Sequence, residues 1–268
     1  MPHVTSKDGT AIAFEVTGQG PALILVDGAF HDRSRLAPHA AVLSPHFTVY
    51  TYDRRGRGES GDTQPYSIGK EIEDIGALIQ EAGGSAFVFG GSSGAVLALD
   101  AAVRLSGITK LALYEPPFVV DDSRQPVPGD FVDQLQQLIA SGRPGDAAEA
   151  YITTGANVPS AQVASMRSAP FWPSVEAVAH TLIQDATIMD GTMVGRPLPA
   201  DRWANVTMPT LVLDGSASPA WFHSAAEALA RLLLHATRQT LEGQGHDVTS
   251  EALAPALEQF FSAQSVPQ

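Results

Sequence analysis

The strongest constraint in this chain is a rhythm of short β-type runs separated by stretches of helical periodicity. "ALILV" (22–26), "FTVYTY" (47–52), "AFVFG" (86–90), "KLALY" (110–114) and "TLVLDG" (210–215) are each five or six residues long, and the first is wholly apolar. A strand without polar alternation has to be covered on both faces, as in a parallel sheet packed between helices. Between these runs, "SIGKEIEDIGALIQEAG" (67–83) carries apolar residues at helical spacing and stops at glycine. Further helices are expected from about Ser93 to Leu105, near 221–234 and over 251–261, with a last strand in "RQTLEG" (238–243). Alternation in "AIAFEV" after the "KDGT" turn predicts an N-terminal hairpin. The sum is an α/β fold: a mostly parallel sheet of about eight strands, flanked by helices.

The rhythm breaks once. From Phe118 the chain turns loop-like in "VVDDSRQPVPGD", and four helical segments are expected up to about Pro199, without a strand. The expected organisation is a core of residues 1–117 and 202–268, interrupted by a helical cap over 118–201. At 268 residues the chain suits one core with an insert better than two independent domains.

Composition narrows the class. No run of about 18 apolar residues exists to span a membrane, and "MPHVTSKDGT" lacks the basic and apolar segments of a signal peptide. A cytoplasmic location is the resulting expectation. The absence of cysteine excludes disulfides, thiolate metal sites and a cysteine nucleophile. A net charge of −13 repels phosphate backbones and anionic surfaces, so neither nucleic acid nor membrane is an expected partner. The charge serves solubility.

The chemistry concentrates where "AFVFG" meets the helix after it, in "FVFGGSSGAVLAL" (87–99). The frame G-x-S-x-G fits Gly90-Gly91-Ser92-Ser93-Gly94. A strand turning sharply into a helix strains its apex, and glycines two positions to either side remove the collisions such a turn creates. The apex hydroxyl then stands above the carboxyl edge of the sheet, beside the free N–H groups of a helix start. This favours Ser92 over Ser93, whose flanks would be Gly91 and Ala95. A glycine-rich helix cap is the plainer alternative, and the strand–turn–helix context argues against it.

With that junction at the fifth expected strand, the chain resembles the α/β-hydrolase fold superfamily, in a serine-nucleophile form with a helical cap. "LILVDGAF" resembles its strand-three and oxyanion loop, "YDRRGRGES" (52–60) its strand-four loop, and "LEGQGHDV" (241–248) the loop that presents the catalytic histidine. The resemblance implies Ser92 as nucleophile, His246 as its base, and the backbone N–H groups of Ala29 and Ser93 as oxyanion donors. Asp27-Gly28 stands where the family usually has His-Gly; the Asp27 carboxylate either disfavours anionic intermediates or is tied up by Arg33 or Arg55. Ser218, in "SASP", stands where many relatives carry the triad aspartate. Certain haloalkane dehalogenases take the acid from the preceding strand end, which here is Glu115 in "LALYEPP". Glu115 is therefore the favoured acid, with Asp121, Asp122, Asp214 or a serine–histidine dyad left open.

Other motifs fall away. "GRGESG" (56–61) spells G-x-G-x-x-G after a strand, but "DTQPYS" follows instead of a helix, so no dinucleotide site is expected. Arg54, Arg55 and Arg57 are expected to pin loops. There is no phosphate-binding G-x-x-x-x-G-K-[ST] and no H-E-x-x-H or comparable metal cluster. No cofactor or metal is expected. Phe30, His31, Phe118, Phe171, Trp172, Trp203 and Trp221 are the candidate pocket residues, with Met189 or Met193 also over the site; His180 is a further candidate, and structural roles are favoured for it and His31. Together they predict an apolar cavity for a small apolar organic substrate. The reading is a carboxylic ester hydrolase acting on an ester, lactone or thioester through an acyl-enzyme on Ser92. Epoxide hydrolysis and dehalogenation are disfavoured because they use an aspartate at the elbow. A cofactor-free lyase, cyclase or isomerase, or a non-catalytic binder, are the alternatives. Oligomeric state is left open.

Overall fold

Among residues 1–263, which the computed structural model describes, eight strands pair into one sheet: β1 (His3–Thr5), β2 (Ala11–Thr17), β3 (Ala22–Val26), β4 (Thr48–Tyr52), β5 (Ala86–Gly91), β6 (Ile108–Tyr114), β7 (Thr210–Gly215) and β8 (Ala236–Leu241). Their order is β1-β2-β4-β3-β5-β6-β7-β8. The β1–β2 and β2–β4 pairs are antiparallel and the other pairs are parallel. The expected hairpin and the mostly parallel sheet are both present.

β3 explains why the central runs lack alternation. Leu23 and Leu25 enter one core cluster while Ile24 and Val26 enter another on the opposite face, all of them fully buried. β7 repeats the division, with Val212 on one side and Leu211 and Leu213 on the other. Residues of α1 (Ala37–Leu43) and α10 (Ser250–Ser262) complete one cluster; those of α2 (Ile68–Glu81), α3 (Ser93–Arg104) and α9 (Ala220–Leu232) complete the other. α3 lies between the sheet and the inserted helices, which is why every residue from Ser93 to Leu99 is buried and its sequence is apolar all round. α2 ends as its glycines predict. Gly83 and Gly84 both take φ +94, and the Gly84 N–H donates to the Ile79 carbonyl at 2.8 Å.

Between β6 and β7 the chain is helical: α4 (Phe131–Ala140), α5 (Pro144–Ala150), α6 (Ser160–Arg167), α7 (Trp172–Val178) and α8 (Leu182–Met189). That is five helices where four were expected. Most have only seven or eight residues, too short for a clear period, and α5 continues directly into a π-helical turn over Tyr151–Gly155. α1 escaped the sequence reading for the same reason, with seven residues and a proline in its first turn. No helix among the described residues is long and apolar enough to cross a membrane.

The parallel strands all end at one edge of the sheet. Asp27 follows β3, Ser92 follows β5, Glu115 follows β6 and His246 lies in the loop after β8. Ligands of open α/β sheets gather at that carboxyl edge.

Candidate active site

Ser92 is the strained residue between β5 and α3, with φ 55 and ψ −129. Gly90 and Gly94 make the turn possible. A Cβ on Gly90 would lie 2.6 Å from the Gly94 carbonyl oxygen and 2.7 Å from Ala95 Cα; one on Gly94 would lie 2.5 Å from the carbonyl oxygens of both Val26 and Asp27. A Cβ on Gly91 would meet nothing within 4 Å. The steric demand therefore falls on the frame centred at Ser92. The adjacent Ser93 is fully buried, and its hydroxyl donates to Asp185 at 2.7 Å instead of facing the cavity.

His246 faces Ser92. Its Nε2 lies 3.1 Å from Ser92 Oγ, and its Nδ1 lies 2.8 Å from Glu115 Oε2. The other Glu115 oxygen accepts the Gly215 N–H at 2.8 Å, which fixes the fully buried carboxyl at the end of β6. Glu115 also sits at positive φ, 45°, as does Phe30 at 71°. Backbone strain thus clusters around the site. Two of the other candidate acids are occupied elsewhere: Asp214 takes Arg238 at 2.9 Å, His223 at 2.5 Å and Thr240, while Asp121 accepts from Ser123. Ser218 is buried and its hydroxyl has no partner among the described residues.

The loop after β3 closes against Ser92, since a Cβ on Gly28 would come 2.9 Å from Ser92 Cβ. Neither the Ala29 nor the Ser93 N–H donates to a protein acceptor among the described residues. Ala29 shares the cavity wall with Ser92, and Ser93 is the chain neighbour of Ser92, so both amides are left available near the hydroxyl. Asp27 accepts the Gly28 N–H at 2.7 Å. Neither Arg33 nor Arg55 ties it up: Arg33 binds Asp53, Glu15 and Glu59, and Arg55 binds Asp74 and Asp8. Burial pushes the Asp27 carboxyl above its ordinary pKa, against the smaller opposing pull of His31. Burial likewise holds His31 and His39 below the usual imidazole range.

These groups line a cavity of about 200 Å³ that includes Asp27, Ala29, Phe30, Ser92, Tyr151 and His246. Phe30 and His31 line it. Phe118, Phe171, Trp172, Trp203 and Trp221 do not line it. Phe118 and Trp203 are core residues packed ring to ring at 5.3 Å, and the Trp203 indole N–H donates to Asp100 at 2.8 Å. Trp172 is buried with its indole on Glu176, and Phe171 is about half exposed. Trp221 stands one layer back: it stacks on Phe222 at 3.6 Å, and Phe222 stacks on the His246 ring at 4.7 Å. Met189 and Met193 belong to the core, and His180 bonds the Gly56 carbonyl at 3.0 Å. The aromatic wall comes instead from Phe30 and Tyr151, edge to face at 5.4 Å, with Phe89 and Tyr114. The lining is mostly apolar, and Asp27, His31, Arg35, His39 and Asp247 add polar groups to it.

Beneath the oxyanion loop lies a buried ionic network. Arg54 clasps Glu71 at 2.7 and 2.8 Å and reaches Asp185 at 2.7 Å. Arg57 holds the other Asp185 oxygen at 2.6 Å and donates to the Gly28 carbonyl. Complete burial opposes ionisation of Asp185, but the Arg57 and Arg54 guanidiniums and the Ser93 hydroxyl outweigh it and keep its carboxyl below the usual range. Asp185 thus couples an inserted helix to the elbow. Its signal in the sequence was an acid on the apolar face of α8, in register with Leu182, Ala186 and Met189. The groups of His, Asp and Glu among the described residues include no arrangement suited to a metal ion.

The chain is similar to known proteins in four respects. A family model described as "Alpha/beta hydrolase family" matches residues 23–257. The crystal structure of an alpha/beta hydrolase from Sphaerobacter thermophilus DSM 20745 superposes with a TM-score of 0.91 at 52% identity, covering 97% of this chain and 100% of that one. Among curated proteins, the pimeloyl-[acyl-carrier protein] methyl ester esterase of Xanthomonas campestris pv. campestris (strain B100) is 28% identical over 93% of this chain and 98% of its own length. The uncharacterized hydrolase YraK of Bacillus subtilis (strain 168) is 36% identical over 36% of this chain and 37% of its own length.

Proposed function

The chain belongs to the alpha/beta hydrolase family, and from that premise we propose that it is a serine hydrolase of small carboxylic esters, lactones or thioesters. The observation that carries the reading is the unbroken chain of contacts from Glu115 through His246 to Ser92, at 2.8 and 3.1 Å. An alcohol is a weak nucleophile until a base takes its proton. His246 Nε2 accepts that proton as Ser92 Oγ attacks the carbonyl carbon, and Glu115 stabilises the imidazolium through Nδ1–H. The Ala29 and Ser93 amides receive the charge on the carbonyl oxygen. Collapse of the tetrahedral intermediate breaks the bond to the leaving group, which departs with the proton from His246. Water, deprotonated by His246, then releases the acid and restores Ser92. Residues 118–201 act as the cap, with Tyr151 and Ala156 as its contribution to the acyl cavity. The likeness to a methyl ester esterase over most of the chain supports an ester as substrate.

The test is an activated ester such as p-nitrophenyl acetate, followed by intact-mass measurement. An acyl adduct on the wild type that is absent from Ser92→Ala, together with turnover by the wild type alone, is the expected outcome. Turnover without a Ser92-dependent adduct would point to proton-transfer chemistry on the same side chains, and no turnover of any activated ester would sink the proposal.

A further inference from the structure

Among the described residues, Asp27 is the one carboxyl in the cavity with an unexplained oxygen. Its Oδ1 is used by its own loop, accepting the Gly28 N–H at 2.7 Å. Its Oδ2 is buried and has no hydrogen-bond partner among the described residues. His31 Nδ1 stands at 3.7 Å, beyond hydrogen-bond reach, and burial favours the neutral form of that imidazole. The other acid on the wall is already matched, since Asp247 takes Arg35 at 2.9 Å. A buried acceptor left empty is costly, and such groups are retained where an occupant supplies the donor.

We propose that Asp27 is a specificity-determining residue that accepts a hydrogen bond from a neutral donor, a hydroxyl or amide N–H, carried on the acyl part of the substrate. This rests on the hydrolase reading above. The acyl part is the portion that stays in the cavity once bonded to Ser92. Asp27 and Ser92 line the same cavity, and a Cβ on the next residue, Gly28, would come 2.9 Å from Ser92 Cβ, so the donor belongs on the part of the substrate held near the attacked carbonyl. A neutral donor fits better than an ammonium because burial disfavours the charged form of the Asp27 carboxyl. A hydroxyl that finds its partner, and an isosteric methyl that leaves Oδ2 stranded, are told apart more sharply than two apolar groups of different size.

The experiment pairs phenyl glycolate with phenyl propanoate, which differ by hydroxyl against methyl, in the wild type and Asp27→Asn. In that variant the Gly28 N–H holds the amide oxygen of the introduced asparagine in place of Oδ1, so a donor replaces the free acceptor. The ratio of kcat/KM for glycolate over propanoate is expected to fall by at least about tenfold in Asp27→Asn, with intrinsic ester reactivity cancelling between the two proteins. An independent arm uses Ser92→Ala and calorimetry with N-phenylglycolamide and N-phenylpropanamide. The glycolamide is expected to bind more tightly, and the preference to vanish when Asp27→Asn is added. Equal amide affinities, no binding of either amide, or an unchanged ester ratio would overturn the inference while leaving ester turnover intact. Amide selectivity without turnover of either ester would retain the Asp27 assignment and reject the hydrolase reading.

Discussion

Replacing Glu115 with glutamine tests the relay at the group that the sequence left most open. The carboxyl has two fixed partners, Gly215 N–H on one oxygen and His246 Nδ1 on the other. In Glu115→Gln the Gly215 N–H must still face an acceptor, so the amide oxygen takes that side and the amide NH2 turns toward His246. Nδ1 then has to accept, which places the ring proton on Nε2, facing Ser92. In that tautomer Nε2 cannot take the serine proton, and the charge that would stabilise the imidazolium is also gone. The analogous acid-to-amide change in serine proteases costs about 10⁴-fold in kcat, so a loss of about 10³–10⁴-fold is expected here, equivalent to about 4–5.5 kcal/mol of transition-state stabilisation. Stopped-time hydrolysis of p-nitrophenyl acetate at pH 7 reads the loss, and thermal melting establishes that the variant is folded. A folded Glu115→Gln retaining activity within about tenfold of the wild type would refute the tautomer argument and demote Glu115 to a structural residue.

Three further outcomes follow from the geometry. Ser92→Gly removes a side chain from φ 55, relieving about 1–3 kcal/mol of strain against about 1 kcal/mol of added unfolded-state freedom, so Tm should rise by a few degrees as activity disappears; a lower Tm contradicts a strained apex. Gly94→Ala places its Cβ 2.5 Å from two carbonyl oxygens, and a urea titration should find it less stable by at least about 2 kcal/mol. Asp185→Ala leaves Arg57 without a carboxylate and Arg54 with Glu71 alone in the interior, and should cost about 3–5 kcal/mol. Because the folded carboxyl of Asp185 titrates below its unfolded value, the contribution is complete above about pH 4 and is lost as pH falls toward the folded pKa. Urea midpoints of both proteins from pH 7 to pH 3 should therefore converge on the acid side, and a gap that widens there would reverse the assignment.

Much of the fold and the serine–histidine pair was legible because the signals are local. The apolar run of β3, the glycine stop of α2 and the Gly90–Gly94 frame each reflect contacts within a few residues or a burial pattern printed along one strand. Asp185 and Tyr151 were missed because their partners lie on distant segments: Ser93 and Arg57 for the first, Phe30 for the second. The aromatic wall was misassigned for a related reason. A tryptophan in a cap or loop segment carries no mark of whether it packs inward, as Trp203 does on Phe118, or toward a cavity.

What the amino-acid order determined by itself was the alternation of strands and helices, the interruption between β6 and β7, and a serine at a turn only glycine neighbours allow. Those depend on short-range sterics and on periodicity, which a linear string records. Which carboxyl meets His246, the unpartnered Asp27 oxygen and the residues that wall the cavity were decided only in three dimensions. Each depends on the meeting of strand ends and loops distant in the chain, 131 residues for Glu115 and His246 and 212 for Arg35 and Asp247, and a distance across the fold is a property no single segment encodes.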